Sequence, residues 1–314
     1  MPSAPSTIKF NTAVKKFFLL FSIIFVFLHF IKSINMPGEK YIMSNVNLQN
    51  TDVFQALYSL PDNFFDLSIV DPPYGASSTN KWSYDEKNKL HGFGGDWKLT
   101  SEIWDLLSQN DSFQQTYQWL TELKRVLKPT GSIWIHSTYH NAGFVNVCCQ
   151  LIGLEIINEV VWYKRNAFPN LSGRRLTASH ETILWVHKGG AKNRNYVFNY
   201  DESKEYSMSG DFMKEKGKQM RTVWDIPNNK SKEELLYGNH PTQKPIRIAE
   251  RIFTICGVKG GNFLAPFAGS GTEMVAGLKY GMNVYGFELE EDYYNIAKKR
   301  LEAVLNDMQM SLFK

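Results

Sequence analysis

Two short apolar runs, each closed by a loop of unusual composition, constrain this chain more than any other feature. Phe65-Asp66-Leu67-Ser68-Ile69-Val70 leads into Asp71-Pro72-Pro73-Tyr74, and much later Asn262-Phe263-Leu264-Ala265 leads into Phe267-Ala268-Gly269-Ser270-Gly271-Thr272. Apolar runs of this length bounded by turn residues read as buried strands. Further strands are expected just after Val46 and over 132–136, 156–163, 181–186 and 284–287. Helical spacing of apolar residues predicts helices up to Leu60 and over 99–127, 142–152, 246–256, 272–280 and 291–306. Pro129-Thr130-Gly131 is expected to stop the second of these. Strands alternating with helices predict an α/β fold built on a mostly parallel, doubly wound sheet.

A chain of 314 residues holds one large α/β domain with an insertion, or two domains. The net charge of +4 points weakly to a polyanionic partner, and 14% aromatic residues permit base stacking without proving it. Cys148, Cys149 and Cys256 lack metal-ligand spacing, so no metal site is expected, and so few cysteines suit a reducing compartment. Phe17 to Ile31 is apolar and flanked by lysines, but it is shorter than the roughly 20 residues that span a bilayer. No small-x-small cleavage site follows it. Residues 1–43 are therefore expected to be a dispensable extension, with Met36 and Met43 as alternative starts and a cytoplasmic location. A membrane tether and a secretory signal are the other readings of that run. Gly75 to Lys98 reads as a long polar loop, and 188–238 turns polar and rich in Lys, Asn, Glu and Ser.

The two loops suggest different chemistry. Asp71 offers a carboxylate oxygen, and Pro72 a carbonyl held by the restricted backbone of a proline pair. Two acceptors on the hydrogens of an exocyclic amino group favour a tetrahedral nitrogen whose lone pair can attack. Tyr74 gives a face on which an extruded base can stack, since chemistry on a base requires its removal from the duplex. The same tetrapeptide could also be a plain strand end in which Asp caps and Tyr packs. Gly269-Ser270-Gly271, between a strand and a helix, lets backbone approach a ligand closely and aims helix N–H groups at it. Glu288 ends the next strand, where a carboxylate can accept from both hydroxyls of a ribose.

Taken in this order, the two loops resemble those of the amino-DNA methyltransferases whose catalytic half precedes the cofactor half, the beta arrangement. His240-Pro241-Thr242-Gln243-Lys244-Pro245, Trp162-Tyr163-Lys164-Arg165-Asn166 and His180-Glu181-Thr182-Ile183-Leu184 match further blocks of that family, and the likeness runs from about Val46 to Leu305. The resemblance implies a Rossmann-like methyltransferase sheet, circularly permuted, with a target-recognition insert. The catalytic half is then 44–187, the insert 188–238 and the S-adenosyl-L-methionine half 239–314. It implies Asp71, Pro72, Pro73 and Tyr74 as catalytic residues. It also implies Thr242, Lys244, Phe267, Gly269, Ser270, Gly271, Thr272 and Glu288 at the cofactor, with Thr242 and Lys244 at its methionine end. Double-stranded DNA is the implied partner. Lys164, Arg165, Arg174, Arg175, Lys192 and Arg194 are its candidate contacts, joined within the insert by Lys214, Lys216, Lys218 and Arg221.

Asp rather than Ser at position 71 points within this family to adenine N6, with cytosine N4 as the alternative. A restriction-modification setting with a separately acting endonuclease, and a homodimer, are further readings. The chain departs from the family at Ala265, where an Asp is usual. The lost carboxylate would face the amino-acid part of the cofactor, so a DNA-binding relative with impaired catalysis stays open.

Overall fold

The computed structural model describes residues 45–73, 109–169, 174–190, 192, 194–205 and 217–311. Tyr74, the loop 75–98, Lys214, Lys216 and the apolar run Phe17–Ile31 lie outside them. The described residues belong to one compact unit, Ser44–Lys314.

Eight strands form one sheet: β1 (Val46–Asn50), β2 (Phe65–Val70), β3 (Leu127–Ser137), β4 (Glu155–Tyr163), β5 (His180–His187), β6 (Val223–Asp225), β7 (Asn262–Ala265) and β8 (Asn283–Glu288). Their spatial order is β1-β8-β7-β2-β3-β5-β4-β6. All neighbours are parallel except at β5, which runs against both β3 and β4. The helices are α1 (Val53–Ser59), α2 (Gln109–Val126), α3 (Ala142–Ile152), α4 (Tyr200–Glu205), α5 (Ile246–Cys256), α6 (Thr272–Tyr280) and α7 (Glu291–Ser311).

Alternation along the strands divides the core into two layers, because successive side chains face opposite sides of a sheet. Leu67, Ile69, Trp134, Ile183 and Trp185 face one way and pack with Ile248, Ile252, Met274 and Leu301 of α5, α6 and α7. Val70, Ile133, Ile135, Leu184 and Val186 face the other way, against Leu57, Leu120, Leu123 and Val145 of α1, α2 and α3, and Phe65 joins them because the strand is irregular between Phe65 and Leu67. Every residue of β2 is buried, as expected of a central parallel strand covered on both faces.

Winding places the two loops side by side. β2 continues to β3 on one side, whereas β7 continues to β8 on the other, and β2 and β7 are neighbours in register, Leu67 opposite Phe263 and Ser68 opposite Leu264. Strand order reverses between them. The crevice beyond the carboxyl ends of strands at such a reversal is where doubly wound sheets bind ligands.

The helix bounds of α3, α5 and α6 agree with the expectations. Pro129-Thr130-Gly131 does not stop a helix: α2 ends earlier, at Val126, and the proline lies within the span of β3. Pairing there shifts from Phe65–Leu127 to Leu67–Ser132, so the intervening residues bulge, and a bulge is where a strand tolerates proline. The stretch 188–238 was expected as an insert. Val197 N–H donates to Thr130 O, Asn199 N–H to Ile255 O, and β6 extends the sheet beside β4, so its described parts are woven into the main body. None of the described helices is long and apolar enough to cross a membrane.

Candidate active site

Asp71 follows β2 directly, and its carboxylate is already engaged. Lys244 Nζ donates to both oxygens, at 3.0 and 2.9 Å. Lys244 is only 4% exposed, and Asp71 16%. Burial works against the ammonium, but Asp71 and then Glu181 outweigh it, and the Lys244 pKa is raised. Lys244 Nζ also lies 3.7 Å from Glu181 Oε2, and Lys164 Nζ holds the other oxygen of Glu181 at 2.9 Å. Asp71, Lys244, Glu181 and Lys164 thus form a chain of alternating charge. The family resemblance assigns Lys244 to the methionine end of the cofactor. The structure seats it on the Asp71 carboxylate, because a buried ammonium needs a counter-charge and Asp71 lies within hydrogen-bond distance.

The segment carrying Lys244 is fixed by Glu234. One oxygen of Glu234 accepts from Ser231 N–H, and the other from Ile246 N–H at the start of α5, where Pro245 has no side-chain cap to offer. Two imidazoles flank the site. His136 of β3 is 1% exposed, and burial lowers its pKa to about 4; its Nδ1 has no hydrogen-bond partner among the described residues. His240, also lowered to about 4 by burial, has its ring against Gly269 and edge-on to Tyr293 at 4.2 Å. Thr242 turns back on it, with Oγ1 3.3 Å from His240 Nδ1.

The cofactor-type loop is held through backbone. Gly269 and Gly271 adopt φ of 51° and 75°, which side chains rarely tolerate, and a Cβ on Gly271 would stand 2.9 Å from that of Ala297. Gly269 N–H donates to Glu288 Oε2 at 2.7 Å and Glu290 N–H to Oε1 at 2.9 Å. A carboxylate oxygen that accepts one N–H has further acceptor capacity. Burial raises the Glu288 pKa, opposed by those N–H groups. Arg300 of α7 anchors the loop from behind. It donates to Ser270 O at 2.7 Å, Ser270 Oγ at 3.0 Å and Thr272 Oγ1 at 2.9 Å. Ser270 and Thr272 were expected at the cofactor, but their hydroxyls serve this internal anchor. Phe267 lies edge-on to Trp119 of α2. Ala265 is buried beside Gly286 of β8. In the first turn of α6, Glu273 is buried and its pKa rises to about 7, through desolvation and then the charge of Asp71.

The cationic candidates separate to two edges of the sheet. Tyr163 pairs with His180 at the Asp71 edge. There Arg165 pairs with Asp225 at 2.8 Å, and Arg175 donates to the hydroxyl of the exposed Tyr139. Arg174 is exposed beside it, whereas Lys164 is largely buried on Glu181. Arg194 pairs with Glu155, which stands opposite His187 at the far edge. Lys192, also exposed, lies in the same stretch of chain, so these two are not brought to the crevice. Lys218 and Arg221 are exposed just before β6.

Sequence reasoning gave no role to Glu181, His136, Glu273, Glu234 or Arg300. A histidine inside the apolar run Ile133-Trp134-Ile135-His136 was a visible signal.

A family model described as DNA methylase (N6_N4_Mtase) matches residues 65–299. Type II methyltransferase M2.DpnII of Streptococcus pneumoniae is 36% identical over 273 residues, covering 85% of this chain and 94% of that protein. Among solved structures, the M1.HpyAVI–SAM complex aligns with a TM-score of 0.54 at 22% identity, over 82% of this chain and 98% of that one. The cytosine-N4-specific PvuII DNA methyltransferase aligns with a TM-score of 0.62 at 14% identity, over 84% and 92%. At these identities the two structures establish a common fold.

Proposed function

The chain belongs to the DNA methylase family, and from that premise we propose that it transfers a methyl group from S-adenosylmethionine to N6 of an adenine drawn out of DNA. The observation that carries this reading is the juxtaposition of Asp71 with the Gly269–Glu288 loop across the point where strand order reverses.

The residues fit the cofactor. Glu288, at the end of β8 beside the glycine loop, has acceptor capacity for ribose hydroxyls beyond the N–H groups it holds, and glycines with positive φ bring backbone close. When bound, S-adenosylmethionine supplies an electrophilic methyl on its sulfonium. Asp71 accepts a hydrogen bond from one N6 hydrogen and the Pro72 carbonyl accepts from the other, so the nitrogen lone pair is released from the ring toward the methyl. Pro73 stiffens the loop and Tyr74 stacks on the base. His240 walls the cofactor loop. Arg165, Arg174 and Arg175 line the same edge and suit the phosphates and base edges beside the extruded nucleotide. Within 188–238, the target-reading part is 226–237, which follows β6 at the Asp71 edge, whereas 188–199 crosses the far edge. Adenine is preferred over cytosine because residue 71 is Asp. A restriction-modification setting, with a separate endonuclease of the same specificity, follows the Type II name of the relative. The cytoplasm is the corresponding location.

The test is long-read sequencing of DNA from methylation-deficient cells expressing the chain. The reading expects N6-methyladenine at one short sequence. N4-methylcytosine would move the chemistry to the other amino base. No modification, with DNA binding retained, would favour an impaired relative, the reading that Ala265 supports.

A further inference from the structure

Resting on the reading of Asp71 as the acceptor of a base amino group, we propose that Glu181 is a second seat for the Lys244 ammonium. Lys244 passes from Asp71 to Glu181 as the target base enters.

In the structure Lys244 covers both oxygens of Asp71 at 3.0 and 2.9 Å. An amino group donating to the same carboxylate meets a competing donor and a positive charge. That charge withdraws the electron density through which Asp71 would act on N6. Productive entry therefore requires the ammonium to give way. It cannot retreat to water, because Lys244 is 4% exposed and an unpaired buried charge is costly.

Glu181 offers the alternative. Its Oε2 lies 3.7 Å from Lys244 Nζ, inside ion-pair range but too far for a hydrogen bond. That oxygen is buried and has no hydrogen-bond partner among the described residues. The other oxygen is fixed by Lys164 at 2.9 Å, so the free one stays aimed at Lys244. A movement of about 1 Å would close a charge-assisted bond of normal length. The four groups alternate in sign, so the move exchanges one carboxylate for another and leaves the net charge of the site unchanged. Glu181 is on this account a positioning residue, acting on the base only through Lys244 and Asp71. It also gives the His180-Glu181-Thr182 block a physical role.

Two measurements test this. Glu181→Gln still accepts from Lys164 but offers Lys244 no charge. Single-turnover transfer from labelled S-adenosylmethionine to unmethylated genomic DNA should fall about tenfold or more, the loss of one hydrogen bond to a charged group. Cofactor affinity should stay within about twofold, and Glu181→Asp should recover part of the rate. The second is the crystal structure of the unaltered chain with S-adenosylhomocysteine and adenosine. Lys244 Nζ should hydrogen-bond Glu181 and stand clear of Asp71. Lys244 still seated on Asp71 in that complex, or full transfer by Glu181→Gln, overturns the proposal. Should Glu181→Gln not fold, the complex decides alone. Failure of the underlying reading looks different: the unaltered chain itself would transfer no methyl to DNA.

Discussion

The two sides of the crevice are held by different means. On the Gly269 side, backbone N–H groups meet Glu288, and a buried arginine grips the loop from behind. On the Asp71 side, four charged side chains from distant parts of the chain satisfy one another in a row. A backbone-held loop is a preformed mould that costs no rearrangement when filled. A row of side-chain charges can exchange partners, which suits a group that must first be neutralised and later used. The difference teaches that binding and chemistry here should be separable by mutation.

The sharpest break is Asp71→Asn. It keeps the shape of the side chain and removes the charge from the chemical side alone. Methylation should fall about a hundred- to thousandfold, as when one preorganised group at a reacting atom is lost. Cofactor affinity by calorimetry should change less than about threefold. Equal loss of both would mean that the two sides are not separable.

The next largest effect is on stability in acid. His136 stands beside the charged row, buried, with its pKa lowered to about 4 from an ordinary 6.5. An imidazole protonated more readily in the unfolded chain favours unfolding as pH falls. Its contribution to stability is whole above 6.5 and is lost between 6.5 and 4. The gap of about 2.5 units corresponds to about 3 kcal/mol. Denaturation at a series of pH values should show this decline, and His136→Phe should make it shallower. An unaltered slope would remove His136 from the account. His240, lowered to the same value, should supply a second and independent part of the decline.

Glu288→Ala tests the other side. On the proposed reading two ribose hydroxyls lose a charged acceptor, at about 1.5–3 kcal/mol. The cofactor dissociation constant should weaken about ten- to hundredfold. The Asp71–Lys244 pair should remain, so the rate at saturating cofactor should fall much less than the affinity. A lost rate with unchanged affinity would invert the assignment of the two sides.

Much of this was legible in the sequence, for a physical reason. Local chemistry announces itself locally: Asp-Pro-Pro-Tyr, the glycine loop and the strand-end Glu288 each lie within one short segment. The helices α3, α5 and α6 were readable because Gly153 and Gly281 close two of them in left-handed conformations and Pro245 opens the third. β6 was missed because three residues, Val223-Trp224-Asp225, carry no periodicity. What makes them a strand is pairing with β4 and burial of Trp224. The charged row was missed because it joins residues 71, 164, 181 and 244, which only the sheet brings together. Lys164 read as a DNA contact for the same reason, since its partner Glu181 lies on the next strand.

The smallest expected effect separates the two edges of the sheet. Arg175→Ala removes a cation from the Asp71 edge and should flatten the salt dependence of DNA binding by about one counterion. Lys192→Ala, in the stretch that crosses the far edge, should leave it unchanged. The reverse result would move the DNA surface to the other edge.

The most direct test of the central claim is nucleoside mass spectrometry. Unmethylated DNA would be incubated with labelled S-adenosylmethionine and the chain, or with its Asp71→Asn variant, and then digested. The account predicts labelled N6-methyldeoxyadenosine from the unaltered chain and almost none from the variant at equal cofactor occupancy. Label in N4-methyldeoxycytidine, or equal label from both proteins, would contradict it.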